Sequence, residues 1–163
     1  MDHPRMSLKK RYTFSDFLFY ICLLSVPLVT AVLAIFKISA WWAIVFIGLG
    51  AGCTMIILRF YCTRCPHYTR NEKNLKCIFF WGFPKFFNKK AGKLNVSDKV
   101  ITYGATTVLL MFPLYWLLTA PGLLMIYLLS LIGLGAAIYR NECHRCIYFE
   151  CPANRVPEAL KNS

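Results

Sequence analysis

Four long apolar stretches alternate with polar segments along the chain. They cover residues 14–36, 38–58, 101–119 and 121–139, and each is about long enough to cross a hydrocarbon core of ~30 Å as an α-helix. Very short turns, KISA and TAPG, join the members of each pair, and a long polar segment separates the pairs. The pattern predicts an all-α membrane protein whose four transmembrane helices form two tandem hairpins.

This pattern divides the chain into five regions. We assign residues 1–13 to a basic N-terminus, 14–60 to the first hairpin, 61–100 to a loop rich in cysteine, aromatic residues and lysine, 101–139 to the second hairpin and 140–163 to a cysteine-rich tail. The first apolar stretch is longer than the apolar core of a cleaved signal peptide, which is about 7–15 residues. We therefore expect it to be retained as a membrane anchor.

The composition supports a membrane location. Hydrophobic residues make up 58% of the 163 residues, and charged residues only 16%. A chain of this length leaves much of its surface exposed when it folds, so the apolar excess cannot all be buried internally. We expect the lipid bilayer to cover it.

The charge distribution predicts the orientation. The net charge is +12, and under this layout only Lys37 among the basic residues falls in a turn on the opposite side. Basic residues accumulate on the cytoplasmic side of membrane proteins, so both termini and the central loop are expected in the cytoplasm and the protein in the cytoplasmic membrane. Because no soluble basic domain is present, we expect no nucleic-acid partner. A protein partner on the cytoplasmic side is expected instead.

The central loop contains a segment that alternates aromatic residues with lysines, CIFFWGFPKFFNKKAGK, at 77–93. Gly82 and Pro84 argue against one long helix there. The composition indicates a short, broken element in the lipid headgroup region, although a cytoplasmic loop that packs its aromatic residues on its own helices fits as well. Asn95 or Ser97 is expected to cap the third helix.

Three matches in the same order indicate an internal duplication. IGLGA occurs at 47–51 and 132–136, and a Pro-Leu pair occurs in the first helix of each hairpin. R-x-x-C-x-R-C follows each hairpin. Parallel repeats of this kind predict a pseudo-twofold axis along the membrane normal. The glycines are expected to allow close approach of the second and fourth helices.

The candidate functional residues are cysteines and histidines outside the spans. Cys22 and Cys53 lie within spans, where a lone cysteine behaves as a small hydrophobic residue. The other six lie on the predicted cytoplasmic side, where thiols stay reduced and structural disulfides are not expected. The candidates form two groups: Cys62, Cys65, His67 and Cys77, then Cys143, His144, Cys146 and Cys151.

Each group contains a CxxC motif, whose two thiolates can bind the same tetrahedral ion. Each group could form a complete site of three cysteines and one histidine, or the two CxxC motifs could together form one four-cysteine site. Zinc and an iron–sulfur cluster both remain open. Redox-active or incidental thiols are the alternatives, although low-pKa cysteines usually lie at helix N-termini and these follow helix C-termini.

The architecture and the Cys-Pro pairs at 65–66 and 151–152 carry a family resemblance. A four-helix membrane protein with both ends cytoplasmic and Cys-Pro motifs after helices two and four resembles the ferredoxin-type membrane subunits of nitrate and nitrous-oxide respiration. Those proteins pass electrons from quinol toward a partner reductase. The resemblance implies that the cluster ligands are among Cys62, Cys65, Cys143, Cys146 and Cys151.

These observations predict a metal-binding membrane protein. The leading function is iron–sulfur electron transfer between the membrane and a partner protein. The alternatives are a non-enzymatic scaffold or accessory subunit with a structural zinc site, and metal-ion handling. No phosphate-binding loop, dinucleotide fingerprint or hydrolase motif occurs, so we expect no catalysis by the chain alone. Asp16 is the only acid near a predicted span, which argues against a buried carboxylate relay.

Overall fold

The computed structural model describes residues 8, 9, 12–69, 74–90, 95–149, 151 and 154–158. Within these residues, four helical segments are long and apolar enough to cross a membrane, as predicted: Phe14–Phe36, Ala40–Arg64, Val96–Leu117 and Pro121–Cys143. Only 11–33% of each span is buried within the chain, which leaves most of the apolar surface for lipid. Most of the predicted basic N-terminus and the Pro152 of the second Cys-Pro pair lie outside the described residues.

The first hairpin consists of α1 (Phe14–Phe36) and α2 (Ala40–Phe60). Helix α1 has the predicted bounds and begins with a capping box, in which the Thr13 hydroxyl accepts the Asp16 N–H and the Asp16 carboxylate accepts the Thr13 N–H. Helix α2 begins and ends two residues later than predicted. A 3₁₀ turn, Cys62–Arg64, follows it.

The third span is not one continuous helix, contrary to the prediction for 101–119. It comprises α4 (Val96–Met111) and α5 (Leu114–Leu117). The interruption lies at Phe112 and Pro113. Proline causes it because proline has no N–H to donate and its ring clashes with the preceding helical turn. The span also begins before residue 101. Asn95 occupies the N-cap position, but its side chain makes no capping hydrogen bond.

The fourth span begins with Pro121 in the first turn of α6 (Pro121–Ile138), a position where the missing N–H has no helical partner anyway. A five-residue π-helix, Tyr139–Cys143, extends it. Such wide turns are rare and occur frequently at functional sites.

The polar segment between the hairpins is partly β, so the all-α prediction is incomplete. A short α3 (Pro66–Thr69) precedes an antiparallel hairpin of β1 (Asn74–Lys76) and β2 (Trp81–Pro84). Gly82 has a φ of 74°, a conformation that glycine adopts without steric cost. This glycine makes the segment short and broken, as its composition predicted.

The four spans pack as a bundle in which α1 lies mainly against α6, and α2 mainly against α4. The core residues are Ala31, Ala34, Ile35, Ala43, Phe46, Trp116, Leu117 and Tyr127. The small side chains in this core, mostly alanines of α1, permit close helix packing.

The prediction that the repeated glycines allow close approach is wrong. A Cβ added at Gly48, Gly133 or Gly135 would meet nothing within 4 Å, and one at Gly50 would only reach ordinary contact with Leu109, at 3.8 Å. The space beside these glycines is open, so they are not needed for helix packing within the chain.

Aromatic rings join the two hairpins at one end of the bundle. The Trp42 ring lies 5.8 Å from that of Trp116, and the Phe46 ring stacks on Phe112 at 5.8 Å. Phe112 and Trp116 are themselves 5.1 Å apart. Aromatic residues are enriched where spans meet the membrane–water interface, and these rings lie beside the break in the third span.

Replacing Tyr127 with phenylalanine is expected to lower the free energy of unfolding by about 1 kcal/mol, the size of a typical hydrogen bond between membrane helices. The buried Tyr127 hydroxyl donates to the Leu110 carbonyl at 2.9 Å, beside the helix break. Removing it leaves that carbonyl without this donor. Unfolding in mixed micelles measures the effect. Tyr115→Phe is the control, since Tyr115 is 74% exposed; equal stabilities of the two variants would contradict the role of the hydrogen bond.

Candidate metal centre

The cysteine-bearing segments lie together at one end of the bundle. The Lys9 N–H donates to the Arg145 carbonyl at 2.7 Å, which joins the N-terminal segment to the C-terminal tail. The Tyr12 ring lies 5.0 Å from the His67 ring. The Tyr61 ring, at the end of α2, makes an edge contact with that of Tyr148 in the tail. Both CxxC motifs are therefore on the same side of the spans.

The first CxxC motif is formed by the 3₁₀ turn after α2. The Cys65 N–H donates to the Cys62 carbonyl at 2.9 Å and closes this turn. Cys62 is 8% exposed and belongs to a small apolar cluster with Leu58, Tyr68 and Leu75, against which Cys65 and Cys77 pack. The sequence brings these three thiols together through one turn and one β-hairpin.

Backbone N–H groups lie near several of these sulfur atoms. Those of His67 and Tyr68 lower the pKa of Cys65. Those of the three residues that follow Cys77, Ile78, Phe79 and Phe80, lower the pKa of that thiol. Nearby donors stabilise negative charge on sulfur, and hydrogen bonds to cysteine sulfur help set the potential of iron–sulfur centres. The backbone of the first group therefore offsets part of the effect of burial, which opposes thiolates.

The second group approaches the first through Cys146. Its sulfur accepts the Tyr148 N–H at 3.4 Å, and it lies near enough to Cys77 and Cys65 for their charges to interact. Cys143 and Cys151 are also within electrostatic reach of Cys146. The Cys151 sulfur accepts the Tyr61 hydroxyl at 3.5 Å.

The two candidate histidines differ in their surroundings. His67 is 7% exposed and lies in α3, two residues after Cys65, with its ring against Tyr12. His144 is partly exposed, and its ring makes an edge contact with Tyr139 at 5.7 Å. Only His67 is enclosed within the protein.

The metal site itself stays a prediction. Across the described ranges, no three side chains of Cys, His, Asp or Glu are placed so that they could hold a metal ion, and all eight cysteines are free thiols. The six candidate thiols gather in one region without meeting at a single point. Binding would require them to draw together around the ion.

Burial keeps the thiols of Cys65, Cys77 and Cys146 protonated by raising their pKa. It raises the pKa of Cys65 from 9.0 to about 12, and the neighbouring charges of Cys77 and Cys146 add to this effect. Burial likewise raises the pKa of Cys77 and of Cys146, against the lowering effect of their backbone hydrogen bonds. Reactive cysteines have lowered pKa values and partial exposure. These thiols are therefore poor nucleophiles unless a cation displaces their protons.

The metal-free protein is expected to lose stability as the pH rises above about 9. In the unfolded chain the Cys65 thiol loses its proton near the ordinary pKa of 9.0. In the folded chain the pKa of this thiol is raised to about 12. The stability contributed by this raised pKa is complete below 9 and is lost between 9 and 12. Unfolding of metal-free protein at pH 8 and pH 10.5 measures the loss. Cys65→Ser should reduce it, and an unchanged pH dependence in that variant would count against the assignment.

Two buried acids were missed by the sequence analysis, which recognised only Asp16 near a span. Glu142 is 6% exposed and accepts from the Lys9 ammonium at 2.9 Å and from the Tyr20 hydroxyl at 3.1 Å. Asp98 is 8% exposed and lies 2.9 Å from the Arg64 guanidinium. Glu142 could have been noticed because it directly precedes Cys143.

Glu142 adds negative charge beside the thiols. Its carboxylate adds to the effect of burial in raising the pKa of Tyr12 and that of Cys77. The π-helix, the N-terminal segment and the first cysteine group therefore meet around this carboxylate.

The fold and the cysteine region define a class of protein, a four-span membrane protein with its cysteine-rich segments gathered at one end. No family model matches the chain, and no curated protein or solved structure shows significant similarity to it. The resemblance to ferredoxin-type membrane subunits stays a prediction.

Proposed function

We propose that this chain is a metalloprotein of the cytoplasmic membrane whose two hairpins share one thiolate centre. Its ligands would be Cys62, Cys65, Cys77 and Cys146, with Cys143, Cys151, His67 and His144 as further candidates. The observation that carries the proposal is the approach of Cys146 to Cys65 and Cys77. A soft metal ion would replace the thiol protons, and the nearby backbone N–H groups would favour the resulting thiolates.

Electron transfer through an iron–sulfur centre is the leading function. The backbone N–H groups near Cys65 and Cys77 would offset negative charge on sulfur, which makes the reduced, more negative state of such a centre easier to form. The cofactor would supply the one-electron chemistry. The chain would hold it at the membrane surface, exclude water with the surrounding aromatic rings and present it to a protein partner on the cytoplasmic side.

A structural zinc site is the second candidate, and the burial of the thiols favours it. Structural zinc sites are closed and usually bind four protein ligands. With Cys62 only 8% exposed, a zinc ion here would be enclosed. It would fix the end of the first hairpin to the tail that follows the second.

The proposed orientation follows from the basic residues at the cysteine-rich end. Lys9, Arg59, Arg64, Arg140 and Arg145 all belong to segments that meet at that end, whereas Lys37 lies in the turn between α1 and α2. The positive-inside rule favours a cytoplasmic location for this end. Reduced thiols would be maintained there.

We also retain the internal duplication as part of the proposal. A pseudo-twofold axis along the membrane normal would exchange α1 with the third span and α2 with α6. It would therefore exchange the α1–α6 contact with the α2–α4 contact, and these are the two main helix contacts of the bundle. Equivalent cysteine motifs would then meet at one end of the axis.

Metal analysis with visible absorption on anaerobically purified full-length protein tests the function. The leading proposal predicts brown protein that contains iron and acid-labile sulfide and that loses absorption on reduction with dithionite. Colourless protein with one zinc ion per chain would support the structural role and contradict electron transfer. Protein without metal, whose thiols are all readily alkylated, would contradict both.

A further inference from the structure

A cavity of about 410 Å³ opens beside the cysteine region, between the start of α1 and the π-helix that follows α6. Its charged lining residues are Lys9, Asp16, Arg140, Glu142 and Arg145. None of these is a cysteine or histidine of the proposed centre, so the cavity requires a separate explanation.

The two carboxylates of the cavity already have partners within the chain. The Lys9 ammonium lies 3.1 Å from Asp16 and 2.9 Å from Glu142. Asp16 also accepts from the backbone and hydroxyl of Thr13, and Glu142 accepts from Tyr20. Neither acid therefore offers an open charge to a ligand.

Arg140 and Arg145 supply the uncompensated charge of the cavity. Both are exposed, and within the described part of the chain neither forms an ion pair with an acid. The lining contains three cations, Lys9, Arg140 and Arg145, and two anions, Asp16 and Glu142. Its net charge is therefore +1. One phosphodiester, which carries a single negative charge, would neutralise it, and guanidinium groups bind phosphate oxygens in a bidentate manner.

The cavity lies where a phospholipid headgroup would be found. Arg140 comes two residues after the last α-helical residue of the fourth span, and Asp16 lies in the first turn of the first span. Phe19, which also lines the cavity, is 53% exposed, as are its apolar neighbours on α1 such as Leu18. The opening is therefore continuous with surface that faces lipid. Basic pockets between membrane helices at this depth are suited to phospholipid headgroups.

We propose that this cavity binds the phosphodiester of a membrane phospholipid through Arg140 and Arg145. The widened π-helical backbone directs Glu142 inward to Lys9 while Arg140 stays exposed. A lipid bound here would bridge the first and last spans at the end where the cysteine segments meet. This proposal does not depend on the metal centre.

Thermal unfolding of the detergent-purified full chain tests it, with three probes: dihexanoyl phosphatidylglycerol and dihexanoyl phosphatidylcholine below their micelle concentrations, and inorganic phosphate. Both lipids should raise the melting temperature, because both carry the phosphodiester. Arg140→Gln and Arg145→Gln should each weaken this response at least about tenfold in lipid concentration, since a hydrogen bond to a charged group has that effect on affinity. Arg155→Gln, an exposed arginine of the same tail, is the matched control.

Each contrary outcome identifies a different error. Absence of stabilisation by either lipid would overturn the proposal, as would equal responses of the wild type and the two arginine variants. Stabilisation by inorganic phosphate at the same concentrations as the lipids would assign the cavity to a free anion and overturn the lipid assignment. Arg140→Lys and Arg145→Lys keep the charge and should retain part of the response. That result would exclude misfolding as the cause of the weaker response in the glutamine variants.

Discussion

Replacing Cys77 with serine is expected to weaken metal binding on the order of 100-fold. Structural zinc sites bind with about 10–16 kcal/mol in total, so one of four thiolates contributes about 3 kcal/mol. The backbone N–H groups of Ile78, Phe79 and Phe80 also lie where they favour a thiolate at Cys77. Metal content after dialysis against a graded series of chelator concentrations gives the change in affinity.

The control for this experiment is Cys22→Ser. Cys22 is exposed on α1, away from the other candidate thiols, so its replacement should leave the metal content unchanged. Cys146→Ser is the more informative variant to compare with Cys77→Ser, because it tests whether the second hairpin contributes to the same centre. If Cys146→Ser retained full affinity while Cys77→Ser lost it, the centre would belong to the first hairpin alone.

The second large effect is expected at the ion pair between Arg64 and Asp98. Asp98→Asn should lower the free energy of unfolding by about 3 kcal/mol, because it removes a charged partner at 2.9 Å from a largely buried guanidinium. The two groups are 2.9 Å apart, and their side chains are only 12% and 11% exposed. Asp98 also lies in the first turn of α4, where the helix dipole favours a negative charge. Unfolding in mixed micelles measures the loss.

A double-mutant cycle shows whether the loss comes from the pair. Arg64→Met combined with Asp98→Leu should cost less than the sum of the two single changes, because no unpaired charge remains. Glu158→Gln is the control, since Glu158 is exposed and its replacement should alter stability by less than about 0.5 kcal/mol. Additive single effects would mean that Arg64 does not fix the first CxxC turn to the second hairpin.

The two prolines show what local sequence could and could not predict. Pro27 and Pro113 are each followed by leucine, yet α1 continues through Pro27 while the third span is interrupted at Pro113. At the interruption, the Leu110 carbonyl accepts from the Tyr127 hydroxyl of a different helix. Hydropathy predicted the spans because their length is set by the bilayer. Proline interrupts this span, but the hydrogen bond that satisfies the Leu110 carbonyl is a tertiary contact that no local pattern reports.

The candidate site likewise has a part that the sequence predicted and a part that it did not. CxxC motifs after two spans predicted that Cys62, Cys65, Cys143 and Cys146 were candidate ligands, and one end of the bundle gathers them. Glu142 was missed because its burial depends on Lys9 and Tyr20, which are more than 120 residues away in sequence. Burial that comes from distant segments leaves no mark on the neighbouring residues. The repeated glycines gave a wrong prediction. Their pattern is conspicuous in the sequence, but the space beside them in the structure is open.

The most direct test of a thiolate centre is X-ray absorption at the K edge of whichever metal the anaerobically purified protein contains. A thiolate centre predicts a first shell of sulfur at about 2.3 Å, as in cysteine-ligated zinc sites, and fewer sulfur ligands in that shell in Cys77→Ser. A first shell of nitrogen and oxygen alone, or metal-free protein from cells supplied with both iron and zinc, would contradict it.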